Sequence, residues 1–342
     1  MIKLFGRFSV LLLAFASLSA TAASYSYDSY RIWGLSNPAL GEGIKSADIN
    51  IKETVVGTYL QLDGSKQLRW HAYTIRNGQI TYPVDYQGAV NTVLLAVNRS
   101  NTAIGVVQVV VGTDAAPRTY GVIYDALGFR IVDHPNALYT ALTSINDRGE
   151  IAGFYRDAGT KNLVGFTYRN GKFFDLKAQV PQLVSLTGIN NNGRVSGVQA
   201  SYKSPFWAKG KQLDLLTTPT GVYGPQGLVP WVFINNRGDL AGSSSGTGFF
   251  LKSGAVRQVA VPGTQSTVVE DLNNRGQLAL MGVLPNGIRQ SYLYDKGQFT
   301  PLNVTDAAES MALAVNDLGV VVGAYAVSPQ AVFDRIYIAH GR

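Results

Sequence analysis

The stretch Ile145-Asn146-Asp147-Arg148-Gly149-Glu150-Ile151-Ala152-Gly153 decides the fold, because the chain repeats it. The same phrase is I-N-N-N-G-R-V-S-G from Ile189 to Gly197, I-N-N-R-G-D-L-A-G from Ile234 to Gly242, and V-N-D-L-G-V-V-V-G from Val315 to Gly323. Three looser copies fill the gaps. Ile49 to Gly57 has Glu53 in place of the first Gly, Val97 to Gly105 has Asn101 there, and Leu272 to Leu280 keeps Gly276 but loses the second Gly. Successive starts lie 48, 48, 44, 45, 38 and 43 residues apart. The chain therefore reads as seven units of one supersecondary structure.

Each phrase has the chemistry of a hairpin. Asn tolerates the left-handed region and can bond nearby backbone through its amide, and Gly adopts positive φ at no steric cost, so N-x-x-G between apolar residues reverses the chain. The second Gly falls inside the returning strand, where it is costly. Its presence in six of seven copies implies close approach of another backbone or a bulky side chain. An aromatic segment turning at Gly follows in most units, as in Gly165-Phe166-Thr167-Tyr168-Arg169-Asn170-Gly171 and Tyr292-Leu293-Tyr294-Asp295-Lys296-Gly297, and then a short strand such as Phe173 to Leu176 or Gln212 to Leu215. Four strands per unit and seven units predict an all-β, seven-bladed β-propeller. Tyr30 to Leu35 reads as a fourth strand without its preceding three, and the last unit ends with its third strand near Val332 to Ile338. The N-terminal strand is thus expected to complete the last blade and close the ring, removing two exposed edges.

Residues 1–23 read as a secretory signal: Lys3 and Arg7, an apolar stretch from Phe8 to Phe15, then Ala20-Thr21-Ala22. The apolar run is too short to span a membrane. Residues 24–342 are then one propeller domain, expected in the periplasm or secreted, not membrane-spanning, and monomeric. Composition agrees, with 37 glycines in 342 residues and only 15% charged residues. Removing Lys3 and Arg7 leaves 27 basic against 22 acidic residues, or +5, without any dense basic run, which argues against nucleic-acid binding. The absence of cysteine excludes disulfides, thiolate metal sites and thiol catalysis.

The I-N-x-x-G-x-V-x-G phrase, with His71-Ala72-Tyr73 and the aromatic segments after the other copies, resembles the HAF-repeat family of bacterial extracellular proteins. The resemblance covers essentially the whole of 24–342. It implies a propeller-like fold and carries no activity or catalytic residues with it.

No residue pattern nominates catalysis, a cofactor or a metal. His71, His134 and His340 lie in different units, so packing explains them better than a shared site. Gly242-Ser243-Ser244-Ser245-Gly246 matches the nucleophile-elbow spacing but sits between strands rather than on a strand-to-helix turn. Asp147, Glu150, Asp239 and Asp317 decorate the turns with at most two carboxylates each, too few for a calcium loop. If each strand leading into Ile/Val-Asn is innermost, the second-to-third and fourth-to-first connections share one face, and variable loops on a rigid scaffold carry recognition. The candidate binding-face residues there are Trp70, Tyr82, Tyr86, His134, Tyr139, Tyr155, Arg156, Lys161, Tyr202, Lys203, Tyr223, Trp231 and Arg289. The expected function is non-catalytic recognition of a protein or glycan through that face. The alternative is a polysaccharide hydrolase or lyase working in a central channel, which would need at least two carboxylates, or a Tyr/His/Arg set, converging there. A purely structural envelope role is the third reading.

Overall fold

The computed structural model describes residues 24–112, 116–176, 183–199, 205–209, 212–215, 222–223, 231–244 and 246–341. The signal segment lies outside them. The described strands form seven antiparallel sheets. Sheet I comprises Gly43–Ile49, Val55–Leu62, Leu68–Arg76 and Gln79–Thr81; sheet II comprises Ala89–Val97, Ala103–Val109, Arg118–Asp125 and Gly128–Val132. Sheet III holds Ala137–Ile145, Ile151–Asp157, Leu163–Arg169 and Lys172–Asp175; sheet IV holds Leu183–Ile189, Val195–Gln199, Pro205–Lys209 and Gln212–Leu215. Sheet V has Leu240–Ser244, Thr247–Lys252 and Ala255–Val259, with its first position shared by Val222–Tyr223 and Val232–Ile234. Sheet VI has Ser266–Leu272, Leu278–Val283, Arg289–Asp295 and Gln298–Pro301. Sheet VII is built from both ends of the chain: Glu309–Val315, Val321–Ala326, Arg335–Gly341 and then Tyr25–Arg31.

The terminal strand pairs Tyr25 with Gly341 and Arg31 with Arg335, closing the ring. Both partners lie a few residues from the sequence-based positions: the first strand starts at Tyr25 rather than Tyr30, and the last runs to Gly341 rather than Ile338. Tyr25 and Tyr27 pack on the cluster shared with sheet VI, and Tyr30, on the opposite face of the strand, packs on the cluster shared with sheet I, so both faces fix this register.

The core lies between sheets. Val56 and Ala72 of sheet I meet Leu94, Val107 and Val122 of sheet II, and comparable buried clusters separate every neighbouring pair up to Leu293 of sheet VI with Ala312 and Val321 of sheet VII. Ile44, Val55 and Tyr73 of sheet I pack on Val322 and Ile336 of sheet VII, so no sheet has a free inner flank.

The repeated asparagines have a different task from the one their sequence context suggests. None of the seven is in the left-handed region. That conformation belongs to the position of the first Gly, where Gly149, Gly193, Gly238, Gly276 and Gly319 have φ of 71–84°, and where Glu53 (58°) and Asn101 (62°) adopt it despite their side chains. Each asparagine instead spends its amide twice. Its Oδ1 accepts the main-chain N–H groups two and four residues on, as Asn146 does from Arg148 (3.0 Å) and Glu150 (2.9 Å). Its Nδ2 donates to the carbonyl of the equivalent asparagine in the next sheet: Asn50 to Asn98, then Asn146, Asn190, Asn235, Asn273 and Asn316, at 2.8–3.2 Å. Asn316 donates to Asn50 at 3.1 Å and completes the circle. A buried amide whose donor and acceptor are all used stabilises the ring without an orphaned polar group.

The second Gly is explained by a bulge. The innermost strands of sheets II, III, IV, VI and VII each carry an irregularity at Leu95, Thr143, Thr187, Glu270 and Leu313, two residues before the phrase begins. The bulge pushes a carbonyl toward the second strand. A Cβ at Gly153 would strike the Ala141 carbonyl and come within 2.8 Å of the Phe166 ring; one at Gly323 would strike the Met311 carbonyl and the Tyr337 ring. In sheet VI, Leu280 occupies this place, and the Tyr292 ring lies over Gly282 instead.

Candidate functional site: the central channel and its mouth

The seven innermost strands enclose a channel. Each runs from the face bearing the second-to-third and fourth-to-first connections, here the loop face, toward the face bearing the asparagine turns. The channel contains a cavity of about 170 Å³. Val93, Leu95, Phe233, Ile234 and Leu313 give it apolar walls; Trp70 and Trp231 stand toward the loop face; Lys45, Asp48, Glu270 and Asp271 bring charge.

Trp70 begins at the loop-face end of the third strand of sheet I, and its main-chain N–H donates to Asn91 Oδ1 of sheet II (2.8 Å), which turns it across the sheet boundary. Trp231 immediately precedes Val232–Ile234 of sheet V. Val232 pairs with Gly242 of the second strand, and Trp231, one residue earlier, lines the channel cavity. The two indoles come from sheets nearly opposite each other in the ring.

The carboxylates divide into two kinds. Asp48 accepts Ile49 N–H (2.8 Å) and, across the sheet boundary, Val97 N–H (2.7 Å). Asp271 repeats this with Leu272 N–H (2.7 Å) and Val315 N–H (2.9 Å). Ser144 makes the same stitch to Ile189 N–H (3.2 Å). Asp48 and Asp271 are therefore ties between innermost strands with both oxygens engaged. Glu270 is different: it is 7% exposed and has no hydrogen-bonding partner among the described residues. Burial pushes its carboxyl up to about 8, with the Asp271 charge adding to the effect. Asp271 is pushed up to about 7 by burial and then by Asp48, and Asp48 to about 6 by burial against the pull of its two amide donors. Lys45 is shifted the other way, its pKa lowered by burial and then by Arg289.

The sequence-derived face residues scatter. Trp70 and Trp231 share the channel cavity. Arg289 lines a second cavity of about 250 Å³ at the loop face with Lys45 and Phe333; its Nε holds Glu309 (2.9 Å) and its guanidinium lies 4.2 Å from the Phe333 ring centre. Burial would raise Glu309, but amide donation from Gln330 and the Arg289 contacts outweigh it and hold the carboxyl below its usual value. Tyr82 accepts Trp33 N–H (3.2 Å) and meets Tyr59 edge-on; Tyr86 packs against Phe129 and Tyr139 against Phe154. His134 and Tyr155 do not face a ligand. Both are buried and stack on each other at 3.7 Å, with burial holding the imidazole below its ordinary pKa despite Asp175 nearby. Arg156 and Lys161 are exposed but brace their own loop, to the carbonyls of Lys161 (3.1 Å) and Ala158 (2.7 Å). Tyr202 and Lys203 lie outside the described residues, as does the Tyr223 side chain.

The remaining motifs have structural occupations. His71 bonds Asp85 (2.6 Å) and stacks on Tyr59. His340 meets Glu53 (3.0 Å). Ser244 is buried on a strand, and Ser243 Oγ accepts Val269 N–H (2.7 Å) from sheet VI. Asp147 and Asp317 accept N–H groups from the preceding turns, while Glu150 and Asp239 pair with Arg148 and Arg237. The four charged channel residues are absent from the sequence-derived set. Aligning the repeats would have exposed Glu270, because its position holds Leu or Thr in sheets II, III, IV and VII.

No protein-family model matches the chain. No curated protein matches it in sequence. Solved structures do match in shape. The β-propeller domain of the trilobed protease from Pyrococcus furiosus, described as having an open velcro topology, superposes with a TM-score of 0.57 at 7% identity, covering 88% of this chain and 97% of that one. The chain has the β-propeller fold. TolB from Acinetobacter baumannii aligns with a TM-score of 0.43 at 11% identity over 84% of this chain and 80% of that one. The Aleuria aurantia lectin in complex with Fucalpha1-6GlcNAc aligns with a TM-score of 0.44 at 10% identity over 78% and 96%. At 7% identity the protease propeller speaks to the fold alone. Unlike an open velcro, the ends here are joined, through Tyr25–Arg31 on Arg335–Gly341. Among the described residues no helix is long and apolar enough to cross a membrane.

Proposed function

We propose that this chain is a seven-bladed, non-catalytic binding propeller of the HAF-repeat kind, exported to the periplasm or beyond. It acts as a monomer and recognises a protein or glycan at its loop face, with the channel mouth as the centre of recognition. The observation that carries this reading is the convergence of Trp70 and Trp231, from sheets nearly opposite, on one channel cavity. Large, stiff indoles give binding area at low entropic cost, and they are the residue type on which interface energy concentrates.

The hydrolytic alternative requires two free carboxylates astride a substrate. Three carboxylates do meet in the channel, but Asp48 and Asp271 have their oxygens on main-chain amides that hold neighbouring sheets together. Only Glu270 remains available, which supports recognition over hydrolysis.

The test is to probe the wild type and the Trp70→Ala/Trp231→Ala variant against arrays of envelope glycans and of peptides. Ligands held by the wild type should be lost in the variant while its circular dichroism stays unchanged. Full retention of those ligands by the double variant would overturn the reading.

A further inference from the structure

Glu270 occupies a bulge position whose other occupants build the fold. Thr143 donates to the carbonyls of Ala152 (3.1 Å) and Leu186 (2.8 Å), and Thr187 exchanges bonds with Val232 (3.0 Å each way), while Leu95 and Leu313 are apolar. Glu270 does neither. An unpaired carboxyl with more than nine-tenths of its surface buried is costly, and nothing in the architecture of the ring requires it. It lines the same cavity as the two tryptophans.

We propose that the channel binds a primary ammonium group carried on a short aliphatic stem, of the lysine side-chain type, with Glu270 as its counter-ion. This deepens the binding reading above and rests on it. The stem fits the walls of Val93, Leu95 and Leu313, and a cavity of about 150 Å³ is known to hold benzene, so about 170 Å³ suits a group of this girth. Trp70 and Trp231 line the same cavity, and indole is the aromatic group that attracts a cation most strongly. A divalent metal fits poorly, because it would need several oxygen ligands and those of Asp48 and Asp271 are already used. The charged groups facing Glu270 are Asp271 on its own strand and, from sheet I, Asp48 and Lys45; the walls from sheets IV, V and VII, with Thr187, Phe233 and Leu313, carry no charge. Lys45, nearer the loop face, selects a ligand with a single positive charge. On binding, the neutral carboxyl releases its proton to solvent and the resulting carboxylate pairs with the ammonium, which keeps its three protons.

Calorimetry on residues 24–342 with n-pentylammonium tests this. In buffers of differing ionisation enthalpy, about one proton should be released per ligand at pH 7 and almost none at pH 9.5, since Glu270 titrates at about 8. Pentanol and 1,5-diaminopentane should each bind at least about tenfold more weakly, the first lacking the charge and the second meeting Lys45. Glu270→Gln should lose about tenfold or more in affinity for pentylammonium together with the proton release. Glu270→Leu, which copies Leu95 and Leu313, guards against a folding defect and should keep pentanol binding while losing the ammonium. Equal affinity for pentylammonium and pentanol, or unchanged proton release in Glu270→Gln, would overturn the proposal. If those results came with ligand capture still dependent on Trp70 and Trp231, this inference alone would fail and the binding role would stand.

Discussion

Replacing Asn316 by Asp isolates the ring of amides. The substitution is isosteric, and the two bonds that Oδ1 accepts from Leu318 and Val320 (3.0 Å each) survive. Only the donor is lost: Nδ2, which reaches the Asn50 carbonyl at 3.1 Å, becomes a second acceptor. Both asparagines are nearly fully buried, so water cannot replace the bond. The Asn50 carbonyl keeps the Glu53 N–H (3.0 Å) but loses its side-chain donor, at about 1 kcal/mol, and faces a charge of its own sign, while charge-assisted bonds from Leu318 and Val320 return part of the cost. A net loss of about 1–2 kcal/mol at pH 7 follows. Protonation of the new carboxylate restores an O–H donor, so the deficit should close as the pH falls below about 4. Urea denaturation of Asn316→Asp and wild type at pH 7 and pH 3.5, with m-values compared for two-state behaviour, measures both numbers. Equal stability at pH 7, or the same deficit at both pH values, would refute the structural role given to the amide ring.

Gly153→Ala should cost about 2–4 kcal/mol in thermal or chemical denaturation, because its methyl meets the Ala141 carbonyl and Phe166; a neutral result would remove the explanation of the second Gly. Glu270 should make stability fall with rising pH. Its folded pKa is raised, so there is no penalty below the ordinary glutamate value, the penalty grows through the window from about 4.5 to 8, and it is constant above. Relative to Glu270→Gln, which cancels the opposing contribution of His134, wild-type stability should drop by about 4 kcal/mol across that window; a flat difference in paired denaturation curves would contradict it. Deleting residues 24–31 exposes the Arg335–Gly341 edge, and sedimentation should show association or aggregation of the truncated protein; a stable monomer would mean that the N-terminal strand is dispensable to closure.

The fold was legible where spacing alone determines it. The N-x-x-G phrases report hairpins, and their strands fall where the periodicity puts them, with Gln212–Leu215 at the predicted bounds and Lys172–Asp175 displaced by one residue. The turn chemistry was legible only in part, because Asn146 and its counterparts act across sheets as well as within a turn, and a linear motif does not show what the next unit offers. Trp70 and Trp231 could be found as large residues on one face. Their meeting in the channel depends on sheets I and V facing each other across the closed ring, which no single unit shows. His134 looked like a loop residue because its neighbours are polar; stacking on Tyr155, twenty-one positions away, is what withdraws it. Glu270 was hidden for the opposite reason. An acidic residue within an otherwise ordinary strand becomes unusual only when the seven units are superposed.

The joining of the two chain ends has a practical consequence for anyone handling this molecule. Tyr25 and Gly341 lie side by side, at the rim of the surface that carries the asparagine turns. A tag, tether or fusion partner fixed at either terminus therefore attaches from behind and leaves the opening guarded by the indoles pointing into free solution. Surface immobilisation by one end or the other should present the same orientation.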